Sequence, residues 1–192
     1  MAAPKTGKAA LAQSKATKDA RKRNVIQVLN MARAMELKAI SQYMNQHYKL
    51  DDKDLGELAG NMKLIAIDEM RHAEMFAERI KELGGEPTTD LSGKVVKGQD
   101  IKAIHPFDVN EEDVTIDAYN QFLVVCRENG DSITAKLFEQ IIDEEQIHLN
   151  YFDNVADHIA TMGDAYLSRI AGTSASTGPS TKSFVLKQSG GA

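Results

Sequence analysis

Hydrophobic residues recur at intervals of three and four positions over most of the chain, which is the spacing of one buried face on an α-helix. Gly84 and Pro87 end the second of these periodic segments, and Asn110 is a suitable N-cap for the third. The periodicity predicts five helices, at approximately residues 18–47, 51–83, 110–129, 131–162 and 164–171.

The lengths of the connections predict how these helices pack. About four residues at 48–51 join the first and second helices, which must therefore run antiparallel, and the turn at Gly130 relates the third and fourth in the same way. Residues 84–110 lack a helical period, include a short β-like pair at Val95 and Val96, and can run back along the second helix. The sequence thus predicts an all-α four-helix bundle with one long crossover and a short C-terminal helix.

Composition divides the chain into one domain and two extensions. The 192 residues are 42% hydrophobic and 27% charged, as in an ordinary globular domain, which we place at residues 21–171. Residues 1–20 are basic and 172–192 are rich in Gly, Ser and Thr, so we expect two flexible ends, although Phe184, Val185 and Leu186 could dock against the domain. Residues 1–23 contain seven basic residues and Asp19 and so carry a charge of +6. Because the net charge of the chain is −5, residues 24–192 carry −11.

The location of the protein is predicted from its cysteine content and from its hydrophobic runs. Cys126 is the single cysteine, so the chain has no internal disulfide and no Cys-x-x-Cys pair for zinc or rubredoxin-type iron. No hydrophobic run approaches the roughly 18 residues of a membrane-spanning helix. We therefore expect a cytoplasmic protein with no membrane contact.

Ionisable residues interrupt the hydrophobic stripes in two chemically similar halves. Each half has a glutamate on its first helix and, 33 residues later, a Glu-x-x-His pair on its second. Residues three positions apart share one face of a helix, so every one of these side chains is predicted to face the bundle core. The two halves together supply Glu36, Glu69, His72, Glu112, Glu145 and His148.

Four carboxylates in one low-dielectric core predict a di-metal site, because ionised carboxylates are rarely buried unless cations or protons compensate their charge. Oxygen ligands with one imidazole per metal suit iron or manganese, whereas a structural zinc site would favour thiolates. We expect Glu69 and Glu145 to bridge the two ions. Glu36 and Glu112 would then be terminal ligands.

Two neighbouring side chains have open roles. Glu144 adjoins Glu145 but points roughly 100° away on the helix, so it is expected to be solvated or to lie outside the ligand shell. Tyr43 follows Glu36 on the same stripe. It either donates a hydrogen bond to a ligating carboxylate or is simply a core tyrosine.

Three segments carry a resemblance to a known family: residues 35–43, 67–74 and 143–148 resemble those of bacterioferritins. The resemblance extends over about residues 20–170. It implies a ferritin-like fold and identifies the six side chains as ligands of two iron ions per subunit. It also implies a ferroxidase that oxidises Fe(II) with dioxygen or peroxide, and a homo-oligomeric 24-subunit shell, built from dimers, that stores ferric mineral.

Two further positions gain meaning from the resemblance. Bacterioferritins hold haem between two subunits through one methionine from each, and Met70 occupies that position, which implies an iron porphyrin cofactor. Some members have a histidine four residues before the aspartate of the Asp-Glu-Met motif and bind extra iron on the inner surface of the shell. Leu64 stands there instead, opposite Asp68, so that inner site is not expected.

Two other functions compete with iron storage. A DNA-binding mini-ferritin would explain the basic residues between Lys5 and Arg23, but mini-ferritins usually build their iron site across two subunits. A rubrerythrin-like peroxidase would need an attached rubredoxin iron, for which the cysteine pairs are absent. We expect a reducing partner protein, whose identity the sequence does not reveal, and no nucleic-acid partner.

Overall fold

The computed structural model describes residues 6–175 and 183–188, and within these ranges it contains helices and no β-strand. Four long helices form the bundle, and two short ones follow. Their bounds are α1 Thr6–Asp51, α2 Gly56–Glu82, α3 Ile101–Glu128, α4 Ser132–Met162, α5 Asp164–Ile170 and α6 Phe184–Gln188. The predicted all-α four-helix bundle with a short C-terminal helix is thus confirmed.

The crossover between α2 and α3 runs along α1, whose polar side chains bind its backbone. The amide of Gln42 donates to the Val96 carbonyl at 3.1 Å and accepts from the Val96 N–H at 2.8 Å. Nearer the start of the crossover, the Thr88 N–H donates to Asn30 Oδ1 at 2.7 Å. The Gln42 side chain makes the backbone hydrogen bonds that a second β-strand would otherwise make. The β-like interpretation of Val95 and Val96 was therefore wrong.

Two hydrophobic clusters fill the bundle, one toward each end. The first cluster is rich in aromatic side chains, and the ring centroids of Phe76 and Phe138 lie 5.2 Å apart in it. In the second cluster, Met62 and Ile65 are fully buried. The predicted metal-binding residues come between these clusters along every long helix. The polar layer is therefore enclosed by hydrophobic packing from both ends.

Helix α3 begins nine residues before the predicted N-cap. Asp100 is the N-cap instead, since its side chain accepts a hydrogen bond from the Lys102 N–H at 2.9 Å. Pro106 lies inside the helix but close to its start, so the ring removes one intrahelical hydrogen bond and does not end the helix. Asn110 therefore lies within α3, and its prediction as a helix start was wrong.

The predicted extensions overlap with ordered elements. Helix α1 already begins at Thr6, and Phe184 of the C-terminal segment is buried. Gly56, at the start of α2, lies against residues 173–175: a Cβ there would be 2.0 Å from the Thr173 carbonyl oxygen. The domain bounds of 21–171 and the flexibility of both ends stay predictions, and residues 1–5, 176–182 and 189–192 lie outside the described residues.

No helix among the described residues has both the length and the hydrophobicity needed to cross a membrane.

Candidate metal centre

The six side chains predicted from the sequence come together in the middle of the bundle, and all are buried. Helix α1 supplies one glutamate and α3 another, while α2 and α4 each supply a Glu-x-x-His pair. Their ligand atoms form two groups in which every atom lies within 4.8 Å of the others. The groups are Glu36, Glu69, His72 and Glu145, and Glu69, Glu112, Glu145 and His148.

Glu69 and Glu145 belong to both groups and lie between the two imidazoles. His72 Nδ1 is 3.0 Å from Glu69 Oε2 and 3.1 Å from Glu145 Oε1, while His148 Nδ1 is 2.9 Å from Glu145 Oε2 and 3.2 Å from Glu69 Oε1. Both Oε1 atoms are buried without a hydrogen-bond donor. A buried acceptor that receives no hydrogen bond is energetically costly. These ligand atoms therefore fit a pair of cations shared by the two glutamates.

The outer nitrogen of each imidazole faces a second carboxylate. His72 Nε2 lies 3.2 Å from Glu144 Oε2, and His148 Nε2 lies 3.4 Å from Asp68 Oδ2. A proton held on Nε2 by such a carboxylate leaves the Nδ1 lone pair directed at the glutamates, which is the tautomer that binds a metal ion. Of the two roles open to Glu144, the contact outside the ligand shell is the one observed.

Asp68 was missed as a functional residue. The signal was nonetheless present, because an acidic residue comes directly before the glutamate of both Glu-x-x-His pairs, Asp68 before Glu69 and Glu144 before Glu145.

Two buried tyrosines link the halves of the site. Tyr43 from α1 donates a hydrogen bond to Glu112 Oε1 at 2.6 Å, and Tyr119 from α3 donates to Glu36 Oε1. The first contact settles the open role of Tyr43 in favour of a hydrogen bond. Tyr119 was not predicted, although it follows Glu112 by seven residues just as Tyr43 follows Glu36.

The surroundings of the two tyrosines differ. Tyr119 packs against Phe76 and Phe138, with ring centroids 5.6 and 5.5 Å away. On the Tyr43 side, Asp108 is buried on the same helix as Glu112 and accepts a hydrogen bond from Gln46 Nε2 at 2.7 Å. Burial raises the pKa of Asp108 well above its usual value. Tyr43 packs against Phe152 as well, with ring centroids 5.5 Å apart, so this half of the centre combines aromatic packing with buried polar groups.

Opposite pKa shifts separate the four glutamates into two classes. Burial and the charges of Glu145 and Glu69 raise the pKa of Glu36 well above its usual value, and the same causes act on Glu112. For Glu69 and Glu145, burial is outweighed by the imidazoles, and the pKa of Glu145 falls to about 2. In the absence of metal, these shifts favour the protonated form of the terminal pair and the ionised form of the shared pair.

The same surroundings favour the positively charged form of both imidazoles. Burial disfavours the charged form of His72, but the Glu145 charge and the hydrogen bonds that the ring donates to carboxylates outweigh burial and raise the pKa of His72 well above its usual value. The pKa of His148 is raised in the same way, with Glu69 as the main opposing charge. Two imidazolium ions then compensate two carboxylates, which explains how the polar layer stays buried.

Met70 lies between Glu69 and His72 in sequence but faces away from the centre. Its side chain is on the outside of α2 and is 54% exposed, while Met31 and Met162 are exposed to 48% and 43%. Single exposed hydrophobic side chains are common on protein surfaces, so the role of Met70 stays a prediction.

A four-helix bundle whose core holds a glutamate from each of two helices and a Glu-x-x-His pair from each of the others defines the ferritin-like class of di-metal carboxylate proteins. Comparison with known families agrees, because the model of the ferritin-like domain matches residues 26–162. Among curated proteins, the bacterioferritin of Desulfovibrio desulfuricans is 67% identical over 165 residues, which cover 86% of this chain and 92% of the relative. That of Mycolicibacterium paratuberculosis is 33% identical and covers 72% of this chain and 87% of its own. The chain belongs to the bacterioferritin family.

Solved structures show the same relationship. The crystal structure of Desulfovibrio desulfuricans bacterioferritin, which describes that protein's diiron site in different catalytic states, superimposes with a TM-score of 0.84 at 66% identity and covers 85% of this chain and 95% of that one. Mycobacterium tuberculosis bacterioferritin BfrA superimposes with a TM-score of 0.73 at 30% identity, covering 77% and 93%. The predicted membership of the family is thus confirmed.

Proposed function

We propose that this chain is a ferroxidase that oxidises Fe(II) to Fe(III) at the buried cluster and stores the product as ferric mineral. The observation that carries the proposal is the pair of overlapping ligand groups that share Glu69 and Glu145. Two Fe(II) ions are the substrate, and dioxygen or peroxide is the oxidant. Iron suits a site of carboxylate oxygens with one imidazole per ion.

Each side chain of the cluster has a role in holding the two ions. Glu69 and Glu145 bridge them, and Glu36 and Glu112 each bind one ion as terminal ligands. His72 and His148 each bind one ion through Nδ1. Two bound Fe(II) ions would supply two electrons, which with two protons from solvent reduce dioxygen to hydrogen peroxide or hydrogen peroxide to water. The protein keeps the two ions close together, and the terminal glutamates release their protons when the ions bind.

The tyrosines and the outer carboxylates keep these ligands oriented. Tyr43 holds Glu112 and Tyr119 holds Glu36. Each contact fixes one carboxylate oxygen and leaves the other free to bind an ion. Glu144 and Asp68 hold the imidazoles through Nε2. Mutation of such supporting residues typically costs about 10- to 100-fold in metal affinity or activity.

The remaining parts of the proposal concern the assembly. Subunits pair into dimers and form a 24-subunit shell, and one haem-type iron porphyrin is held between Met70 residues of two subunits. The exposure of Met70 supports this role, since thioether ligation of haem iron requires a side chain that can reach a shared interface. A separate protein donates the electrons that release stored iron, and we place the assembly in the cytoplasm.

All six ligands come from one chain, which disfavours the mini-ferritin alternative with its intersubunit site. The rubrerythrin-like alternative still lacks the cysteine pairs that would hold a second iron centre. Nucleic acid is not among the proposed partners.

Stopped-flow oxidation of Fe(II) tests the proposal. Glu69→Ala and Glu145→Ala each remove a side chain shared by both ions, so we expect the rapid phase to disappear, a loss of at least about 100-fold. Asp143→Ala is the matched control, because Asp143 is an exposed carboxylate on the same helix as Glu145. Rapid oxidation by either glutamate variant would contradict the proposed site.

A further inference from the structure

The C-terminal residues 183–188, here called the C-terminal cap, pack across α2 and α4 beside the metal centre. Phe184 is fully buried, and its ring centroid lies 4.8 Å from that of Tyr151 and 6.3 Å from that of His148. Ser183 is buried as well. A segment from an otherwise Gly- and Ser-rich end therefore reaches the ring of a candidate metal ligand.

The cap also makes a directional contact with the carboxylate that orients this ligand. The Val185 N–H donates a hydrogen bond to Asp68 Oδ2 at 3.1 Å. The same oxygen is 3.4 Å from His148 Nε2. Hydrogen bonds to a charged group are among the stronger ones in proteins, so the cap backbone, Asp68 and His148 form a connected chain that ends at the metal centre.

The other half of the centre has no equivalent cover among the described residues. Glu144 takes the place of Asp68 there, but its side chain is 26% exposed, whereas that of Asp68 is 1% exposed. Its second hydrogen bond comes from Gln140, one turn earlier on its own helix, at 3.2 Å. The two imidazoles thus have similar inner contacts but different outer ones.

Phe184 of the cap belongs to one of the two hydrophobic clusters, whose other members lie on α1 to α5 and in the turn between α1 and α2. A cavity of about 350 Å³ opens beside the cap, lined by Ile147, Asn150, Asn154 and Gln188 together with Tyr151, Phe184 and Val185. The two hydrophobic clusters that hold the long helices together extend well beyond this contact. The cap can therefore be altered while most of the interactions that form the bundle remain.

We propose that the C-terminal cap closes the His148 side of the metal centre by fixing Asp68 and covering the imidazole. The inference rests on the proposed di-metal site. The ion beside His148 then exchanges slowly, and the ion beside His72 exchanges faster, through the less covered side at Glu144. Val185 and Phe184 are positioning residues, since they act on the ion only through Asp68 and His148.

Release of Co(II) from the full-length protein to an excess of EDTA, followed by the visible absorption of bound Co(II), tests this proposal. Val185→Pro deletes the N–H that bonds to Asp68 at a position in the first turn of α6, where proline is tolerated. Val185→Ala keeps this N–H and is the matched control. We expect wild type to release its two ions in a fast and a slow phase, and Val185→Pro to accelerate the slow phase about tenfold.

A second pair of variants tests the ring. Phe184→Ala uncovers His148 and should also accelerate the slow phase, whereas Phe184→Leu refills most of the space and should restore the slow rate. Gln188→Ala, an exposed position in the same segment, should leave both phases unchanged. The Co(II) absorption band that belongs to the slow phase should shift in Val185→Pro but not in Val185→Ala, which a general loss of stability would not produce.

Each result bears on a different part of the account. Unchanged release and unchanged spectra in Val185→Pro, with two Co(II) ions bound as in wild type, would overturn the cap while leaving the metal site intact. A wild-type protein that fails to bind two Co(II) ions would overturn the di-metal site and the cap with it. Equal acceleration of both phases would show that the cap is not specific to the His148 side and would also overturn it.

Discussion

At the residue scale, protons and metal ions are interchangeable in the centre. Without metal, the raised pKa values of Glu36 and Glu112 favour neutral carboxyls, and the raised pKa values of His72 and His148 favour charged imidazoles. Two divalent ions need four ionised carboxylates and two neutral imidazoles. The net charge of the six side chains and their ions is then zero in both states.

Metal binding should therefore release about four protons per pair of divalent ions at neutral pH, one from each of the two carboxyls and two imidazoles. Since protons compete with the metal at all four groups, affinity should fall as the pH is lowered. Addition of Zn(II) to weakly buffered protein with a pH indicator measures the release. Binding of two ions without proton release, or tighter binding at lower pH, would contradict the charge balance.

The sequence predicts the six cluster residues because Glu-x-x-His spacing on a hydrophobic stripe determines which face of one helix they share. The contacts of Asp68 and Tyr119 were missed for a physical reason. Their partners, His148 and Glu36, lie on other helices, and spacing within one helix does not determine distances between helices. The sequence indicates these contacts only through its internal repeat, because Glu144 matches Asp68 and Tyr43 matches Tyr119 in the other half of the chain.

At the element scale, helix ends are set by capping side chains that also join neighbouring helices. Asp131 is the N-cap of α4 and accepts hydrogen bonds from the Thr134 N–H at 3.0 Å and the Thr134 hydroxyl at 2.8 Å. It also accepts two bonds of 2.9 Å from Arg79 on α2. These contacts outweigh burial and lower the pKa of Asp131. Asp131 thus links the turn between α3 and α4 to the end of α2.

Asp131→Ala should lower the free energy of unfolding by about 1–2 kcal/mol, as the loss of an N-cap typically does, and Asp131→Asn should lower it less because the amide oxygen can still cap the helix. Denaturant unfolding at neutral pH measures both. The lowered folded-state pKa means that the stability from ionised Asp131 is present above the unfolded value of about 3.9 and is lost as the pH falls through the folded value. Equal stability of Asp131→Ala and wild type at neutral pH would contradict this role.

Helix existence was predictable and helix ends were not. The period of hydrophobic residues predicts all four bundle helices, since it reflects burial along their whole length. The start of α3 was misplaced because Pro106 and Asn110 favour a boundary by local preference, whereas burial of Ile104, His105 and Asp108 extends the helix back to Ile101. Such burial depends on the rest of the bundle and is not visible in the local sequence.

At the scale of the whole molecule, α2 carries residues of the candidate metal centre on its inner face and an exposed methionine on its outer face. Glu69 and His72 face inward from α2, and Met70 faces outward between them. The acidic balance of residues 24–192, −11 against +6 for residues 1–23, would help to attract cations to the assembled shell.

Met70→Leu should remove haem while leaving the shell and rapid Fe(II) oxidation largely intact, because leucine keeps the bulk of the side chain but lacks the thioether sulfur. Size-exclusion chromatography recorded at 280 nm and in the Soret region measures both properties. We expect a shell-sized peak with Soret absorbance for wild type and without it for the variant. Full Soret absorbance in Met70→Leu, or a small oligomer without haem for wild type, would contradict the assembly described above.

The central claim is that one subunit holds two iron ions between Glu69 and Glu145. Anomalous scattering at the iron absorption edge from crystals of the protein loaded with Fe(II) tests this claim most directly. We predict two peaks in each subunit, both next to these two glutamates, one beside His72 with Glu36 and the other beside His148 with Glu112. A single peak, or iron bound between subunits and away from these side chains, would contradict it.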